Sequence, residues 1–243
     1  MWQFIHKMAS PKFFYRLSSR LLPWLSVVLV IILAYGLIGG LYLAPPDYQQ
    51  GHSFRIIYIH VPSAFLSLMV YAILAISAAV GLIWKIKLAD IAAKASAPLG
   101  ACFTFLALAT GALWGKPMWG TWWIWDARLA SELILLFLYF GYMALHTAIV
   151  DKQQAARASA IVALMGVVNL PIIHYSVVWW NTLHQGATLS KFEKPSIAPA
   201  MLYPLLAMIC AFVLIYSIAL LVRMRYEIVQ REKNSQWVQE LIN

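Results

Sequence analysis

Six apolar runs joined by short polar links constrain this chain more than any other feature. They cover roughly Leu21–Leu43, Ile57–Trp84, Ala95–Leu113, Ala127–Val150, Ala158–Trp180 and Ala200–Val222. A helix needs about 20 apolar residues to cross the hydrocarbon core of a bilayer. Lipid offers no hydrogen bonds, so a continuous apolar run must pair its backbone internally as a helix, whereas a barrel strand would alternate. With 63% hydrophobic and 11% charged residues, the chain is too apolar for a soluble domain of its size. The expected fold is an all-α integral membrane protein with six transmembrane helices and a Trp-rich amphipathic segment at its outer surface.

The first run follows a basic stretch, as in a signal peptide, but it is long. It continues through Gly36 and meets Pro45-Pro46 without a cleavage site, so it reads as a retained span. Before it, residues 1–20 interleave Trp2, Phe4, Ile5, Phe13 and Phe14 with Lys7, Lys12 and Arg16, the pattern of a helix lying on a membrane surface. Gly36-x-x-x-Gly40 offers a weak helix-packing signal. The expected organisation is an interfacial segment 1–20, a membrane domain 21–222 and a tail 223–243.

Six spans put both termini on one side. Thirteen Lys and Arg lie on that side and five, Arg55, Lys116, Arg128, Lys191 and Lys194, on the other. The positive-inside rule therefore places both termini in the cytoplasm. The start of span two, the Trp-rich segment and the 181–199 connection then share the outer face. Topology also accounts for the net charge of +9 without nucleic acid. Cys102 and Cys210 lie far apart in apolar runs and read as inert core thiols. No phosphate-cradling G-x-x-x-x-G-K-[ST] occurs, so the chain is not itself expected to hydrolyse ATP.

The segment from Trp114 to Asp126, WGKPMWGTWWIWD, holds Trp114, Trp119, Trp122, Trp123 and Trp125. Indole has an apolar body and one N–H donor, so it favours the boundary between lipid and water. Five indoles exceed what anchoring needs and suit a platform for a flat, apolar, anionic ligand. The threefold spacing of Trp119, Trp122 and Trp125 predicts one helical face. Lys116, Pro117 and Gly120 predict an interruption of any simple continuous span. Asp126 is placed as the N-cap of span four.

Four histidines, His52, His60, His174 and His184, fall near outer ends of spans. Any one of them alone reads as a hydrogen-bonded interface residue. As a pair from separate segments, His60 and His184 can supply one imidazole to each face of a haem iron. His174, after Asn169 and Pro171, ranks below His184 as a structural residue, since Pro171 should open that helix. His52 ranks lower still. Arg128 sits in a first helical turn, where a cation opposes the helix dipole. It either pairs with Glu132 one turn on or meets an anion from outside. Arg128, Arg55 and Lys116 are candidates for propionate carboxylates.

WGKPMWGTWWIWDARL resembles the tryptophan-rich "WWD" signature of the cytochrome c assembly family of haem-handling membrane proteins. RIIYIHVP around His60 and NLPIIHYSVVWWNTLHQG around His184 extend the resemblance over essentially the whole chain, toward the cytochrome c maturation protein C (haem exporter protein C) branch. The resemblance implies haem b bound at the outer face of the bacterial inner membrane, with His60 and His184 as axial ligands. It matches Trp114, Trp119, Trp122, Trp123, Trp125 and Asp126 to the signature. It further implies an ABC transporter with ATPase and membrane subunits, a small single-span membrane subunit, and a periplasmic haem chaperone that receives the haem. Whether the chain is an enzyme stays open. The rival readings are a b-type membrane electron-transfer cytochrome, which buries haem inside the bundle, and a permease subunit of an exporter whose indoles only anchor it.

Overall fold

The computed structural model describes residues 10–184 and 197–242; the expectations at Trp2, Phe4, Ile5, Lys7, Lys191 and Lys194 lie outside them. Among the described residues, six stretches are long and apolar enough to cross a membrane. Helix α1 is Pro11–Leu37, continued by a wider π-helical turn to Leu43. A 3₁₀ turn, His52–Ile56, leads into α2, Ile57–Trp84. Then come α3, Lys87–Trp119, and α4, Ala127–Ala148. The fifth span is broken: α5, Lys152–Met165, a 3₁₀ turn Gly166–Val168, and α6, Asn169–Trp179. Helix α7, Pro199–Arg231, is the sixth span, and α8, Gln236–Ile242, follows it.

The break in span five lies one turn upstream of Pro171. A proline there cannot donate to the carbonyl four residues back, and the ladder reorganises at that point. Residues 11–20 belong to α1 and continue straight into the first span. At 1.5 Å per residue, the 33 residues from Pro11 to Leu43 reach about 50 Å, longer than a hydrocarbon core of about 30 Å.

Helices α2, α3, α4 and the fifth span make the centre of the bundle. Tyr71, Leu74, Leu135 and Tyr139 are fully buried there. The Tyr139 hydroxyl donates to the Ser67 carbonyl at 2.8 Å, which removes an unpaired polar atom from an apolar core. Gly100 faces the Tyr139 ring so closely that a side chain could not be added without displacing it. Helix α1 packs along α7. Gly36 meets Met208 of α7 and Gly40 meets the ring of Tyr58 on α2, so the two glycines serve two different neighbours.

Cys102 and Cys210 are exposed on the bundle surface, not in the core as expected. At the end of the bundle opposite the Trp-rich segment, ion pairs join α7 to α3: Lys94–Glu227 at 2.8 Å and Asp90–Arg231 at 2.6 Å.

Candidate functional site

A cavity of about 1080 Å³ opens at the end of the bundle where the link after α1, the Trp-rich segment and the residues after α6 meet. That volume is at the upper end of small-molecule sites. His60, Trp114, Trp119, Arg128, His174 and His184 are on its wall.

Local sequence explains how each part is placed. After α1 the chain turns at Asp47–Gly51. The Asp47 carboxylate accepts the N–H groups of Gln49 and Gln50 at 2.9 and 2.8 Å, a side-chain mimic of a backbone turn. Gly51 has φ +56°, a conformation that a side chain would strain. The turn presents Gln50, whose side-chain oxygen accepts the Trp114 Nε1–H at 2.8 Å. The Trp114 ring then stands edge-on to His60, with centroids 5.6 Å apart.

Helix α3 runs through Lys116 and Pro117 to Trp119, past the expected interruption. Pro117 has no N–H to give the Leu113 carbonyl four residues back, yet the helix continues two residues past it. The helix stops at Gly120, φ +77°, whose N–H reaches the Lys116 carbonyl at 3.1 Å. Lys116 Nζ donates to the Gly120 carbonyl at 3.0 Å. Residues after Gly120 are irregular up to α4, so Trp119, Trp122 and Trp125 do not share a helical face. Trp119 lines the cavity, while Trp122 and Trp125 are 53% and 79% exposed. Trp123 packs edge-on against Trp125 at 5.4 Å.

His60 projects from the first turns of α2. Its Nδ1 lies 3.0 Å from Thr110 Oγ1 on α3. The Thr110 hydroxyl donates its one proton to the Leu106 carbonyl at 2.6 Å. It must therefore accept from His60, which fixes the Nδ1–H tautomer and leaves a lone pair on Nε2.

His184 lies just past span five, its ring 4.9 Å from that of Trp119. Its Nδ1 is 3.6 Å from Asp126 Oδ2, and both atoms are buried with no hydrogen-bond partner among the described residues. Asp126 Oδ1 accepts the Leu129 N–H at 2.8 Å, the expected N-cap. One carboxylate thus starts α4 and faces the histidine. Burial, then the Arg128 guanidinium, push the His184 imidazole below the usual histidine range, while Asp126 pulls the other way. Both histidines turn Nδ1 to a protein group, so Nε2 is the nitrogen left for an external ligand.

Arg128 donates to the Ile173 carbonyl of α6 at 3.1 Å and lines the cavity. Arg55 donates to the Ala44 carbonyl at 3.0 Å and is not on the cavity wall. His174 is exposed on the same wall as His60 and His184, beside Tyr175. His52 is exposed and outside it. Thr110, Gln50 and Gly111 were missed. Gly111 lies where an added Cβ would come within 3.1 Å of His60 Cε1. Its four-residue spacing from Gly115, another wall residue, was a signal in the sequence; nothing pointed to Thr110.

The family model described as "Heme exporter protein C" matches residues 4–239. Proteins of that name are similar along the full chain. The one from Escherichia coli (strain K12) is 53% identical over 242 residues, covering 100% of this chain and 98% of its own length. That of Haemophilus influenzae is 52% identical over 241 residues, 99% of this chain and 98% of the relative. That of Bradyrhizobium diazoefficiens is 51% identical over 228 residues, 94% and 86% respectively.

Proposed function

The chain belongs to the haem exporter protein C family, and from that premise we propose that it binds haem b as cargo at the outer face of the bacterial inner membrane and hands it to a periplasmic haem chaperone. We place it as a subunit of an ABC-type complex, beside ATPase and membrane subunits and a small single-span protein. Both termini are cytoplasmic in this reading, and the cavity faces the periplasm.

One observation carries the proposal. His60 and His184, on separate segments, line one cavity, and each directs Nδ1 to a protein partner. Two neutral imidazoles with free Nε2 atoms are the donor set that a six-coordinate haem iron takes. The rest of the wall fits the same cargo. Trp114 and Trp119 give the flat apolar contact, and Arg128 is a cation on the wall that can meet a propionate. Arg55 and Lys116 are not on the cavity wall, so Arg128 is the first choice of the three. The exposed indoles Trp122 and Trp125 face outward, where we place the chaperone's contact.

Freed of the family argument, the physics is the same. Haem is poorly soluble, and a shallow site at the bilayer boundary can pass it on without release to water. The test is an absorption spectrum of the purified chain. Wild type is expected to carry haem with a bis-imidazole signature, and His60→Ala and His184→Ala to lose it. Stoichiometric haem in the double alanine variant would rule out this pair as ligands. Haem that stays on the wild-type chain after the chaperone is added would favour an electron-transfer cytochrome instead.

A further inference from the structure

Behind the two histidines lies a second, small chamber of about 40 Å³. It shares His60, Gly111, Arg128 and His184 with the main cavity and adds Leu129 and Glu132. Glu132, one turn beyond Arg128 on α4, is only 8% exposed. Its Oε1 is buried and makes no hydrogen bond with another protein group. A carboxyl in this position inside a membrane span is costly unless something satisfies it. The Ser67 hydroxyl of α2 lies beside the carboxyl but gives its proton to the Ala64 carbonyl at 2.8 Å, and the Arg128 guanidinium donates to the Ile173 carbonyl at 3.1 Å. The chamber has room for about three or four water molecules, at roughly 10–15 Å³ each by this measure. Its wall supplies what such water needs: a carboxylate acceptor, a guanidinium donor and the edges of two imidazoles.

We propose that this chamber is an internal water site in which Glu132 is the principal acceptor, and that the bridged water makes Glu132 a positioning residue for Arg128 and the His60–His184 pair. The first half stands on the chamber and the orphaned carboxyl oxygen. The second rests on the haem reading above. Glu132 touches no cargo in this account. It holds the back of the site, and the bridging water carries its hydrogen bonds to groups it cannot reach itself.

Two measurements separate the halves. The first uses haem-free, full-length protein in detergent and hydroxyl-radical footprinting, in which radicals generated from bound water oxidise adjacent side chains. Leu129 lines the chamber, and Leu135, on the same helix and fully buried, does not. Leu129 is expected to be oxidised severalfold faster than Leu135. Glu132→Gln should keep that difference, and Glu132→Leu, which fills the chamber with methyl groups, should abolish it. Equal rates for Leu129 and Leu135 in wild type would overturn the water site, whatever the variants do.

The second measurement loads the same three proteins with haem. Glu132→Gln should hold it as wild type does. Glu132→Leu should retain it at least about tenfold more weakly, in the range typical of lost outer-shell partners, and its bis-imidazole spectrum should change. A Glu132→Leu protein with wild-type retention and spectrum would overturn the positioning role. A hydrated chamber in a wild-type chain that never takes haem would count against the proposed cargo and leave the water site standing.

Discussion

The sharpest consequence of the site geometry is that Thr110, which is 7% exposed and fifty residues from His60 in sequence, sets that histidine's fitness as a ligand. In Thr110→Val the side chain keeps its shape and loses its oxygen. The His60 Nδ1–H then loses its hydroxyl acceptor and keeps only the Ala107 carbonyl beside it. It can remain poorly paired in a buried site, at up to about 1–3 kcal/mol, or the proton can move to Nε2, the nitrogen an iron needs. Either route weakens binding. At about 1.4 kcal/mol per factor of ten, retention should fall roughly fivefold to a hundredfold, which overlaps the range for lost outer-shell partners of metal-bound histidine.

The assay is the transfer of haem from each purified variant to a haem-scavenging apoprotein, followed by absorption. Thr110→Ser retains the hydroxyl and should behave as wild type. Thermal unfolding of the haem-free variants measures the separate cost to the fold, up to about 1–3 kcal/mol where the buried His60 donor stays unpaired, so retention is read at a temperature where every variant is folded. The reasoning fails if Thr110→Val gives up haem at the wild-type rate while His60→Ala does not hold it at all.

Three further outcomes are expected. Gly111→Ala puts a methyl 3.1 Å from His60 Cε1, so the ring must shift by a few tenths of an ångström; haem retention should drop, with little change in unfolding temperature. Asp126→Asn keeps the N-cap and loses the charge facing His184, whereas Asp126→Ala loses both. Both should weaken haem retention, and the alanine variant should also be about 1 kcal/mol less stable. His184, with its folded-state value lowered, binds fewer protons than the unfolded chain just below the ordinary histidine value of about 6.5. The haem-free protein should therefore lose stability as pH falls through that window and level off above it. The same melting series on His184→Gln should lack this component; an unchanged pH profile would contradict it.

The spans were legible because the information is local. Twenty apolar residues in lipid have few options besides a helix, and α2 begins and ends at the residues expected from the apolar run. The N-cap at Asp126 was legible for the same reason, since residue type and the following periodicity lie side by side. The end of α3 was not. Lys116 and Pro117 look like breakers, yet only Gly120 takes the left-handed conformation that stops a helix. The threefold rhythm of Trp119, Trp122 and Trp125 was real in the sequence and had no helix to act on. What holds the two histidines lay further out of reach. Thr110 meets His60 across fifty residues, and Gln50 meets Trp114 across sixty-four. No periodicity connects such pairs, because the contact is made by the packing of α2 on α3 and by a turn between spans.

The two histidines are also mounted differently, and this follows from where each lies. His60 is within α2, and its partner Thr110 is on α3, so both groups sit on helices packed along their length. His184 is on an irregular stretch past α6, and its partner Asp126 is the cap at the start of α4, 3.6 Å away. A side chain on a packed helix is placed more tightly than one on a connection, and connections are where local opening costs least. One proposed ligand is thus mounted on packed helices and the other on a connection. A cargo site built to keep what it binds would gain from two rigid ligands. Unequal mounting fits the proposed reading, in which the site must also let its cargo go.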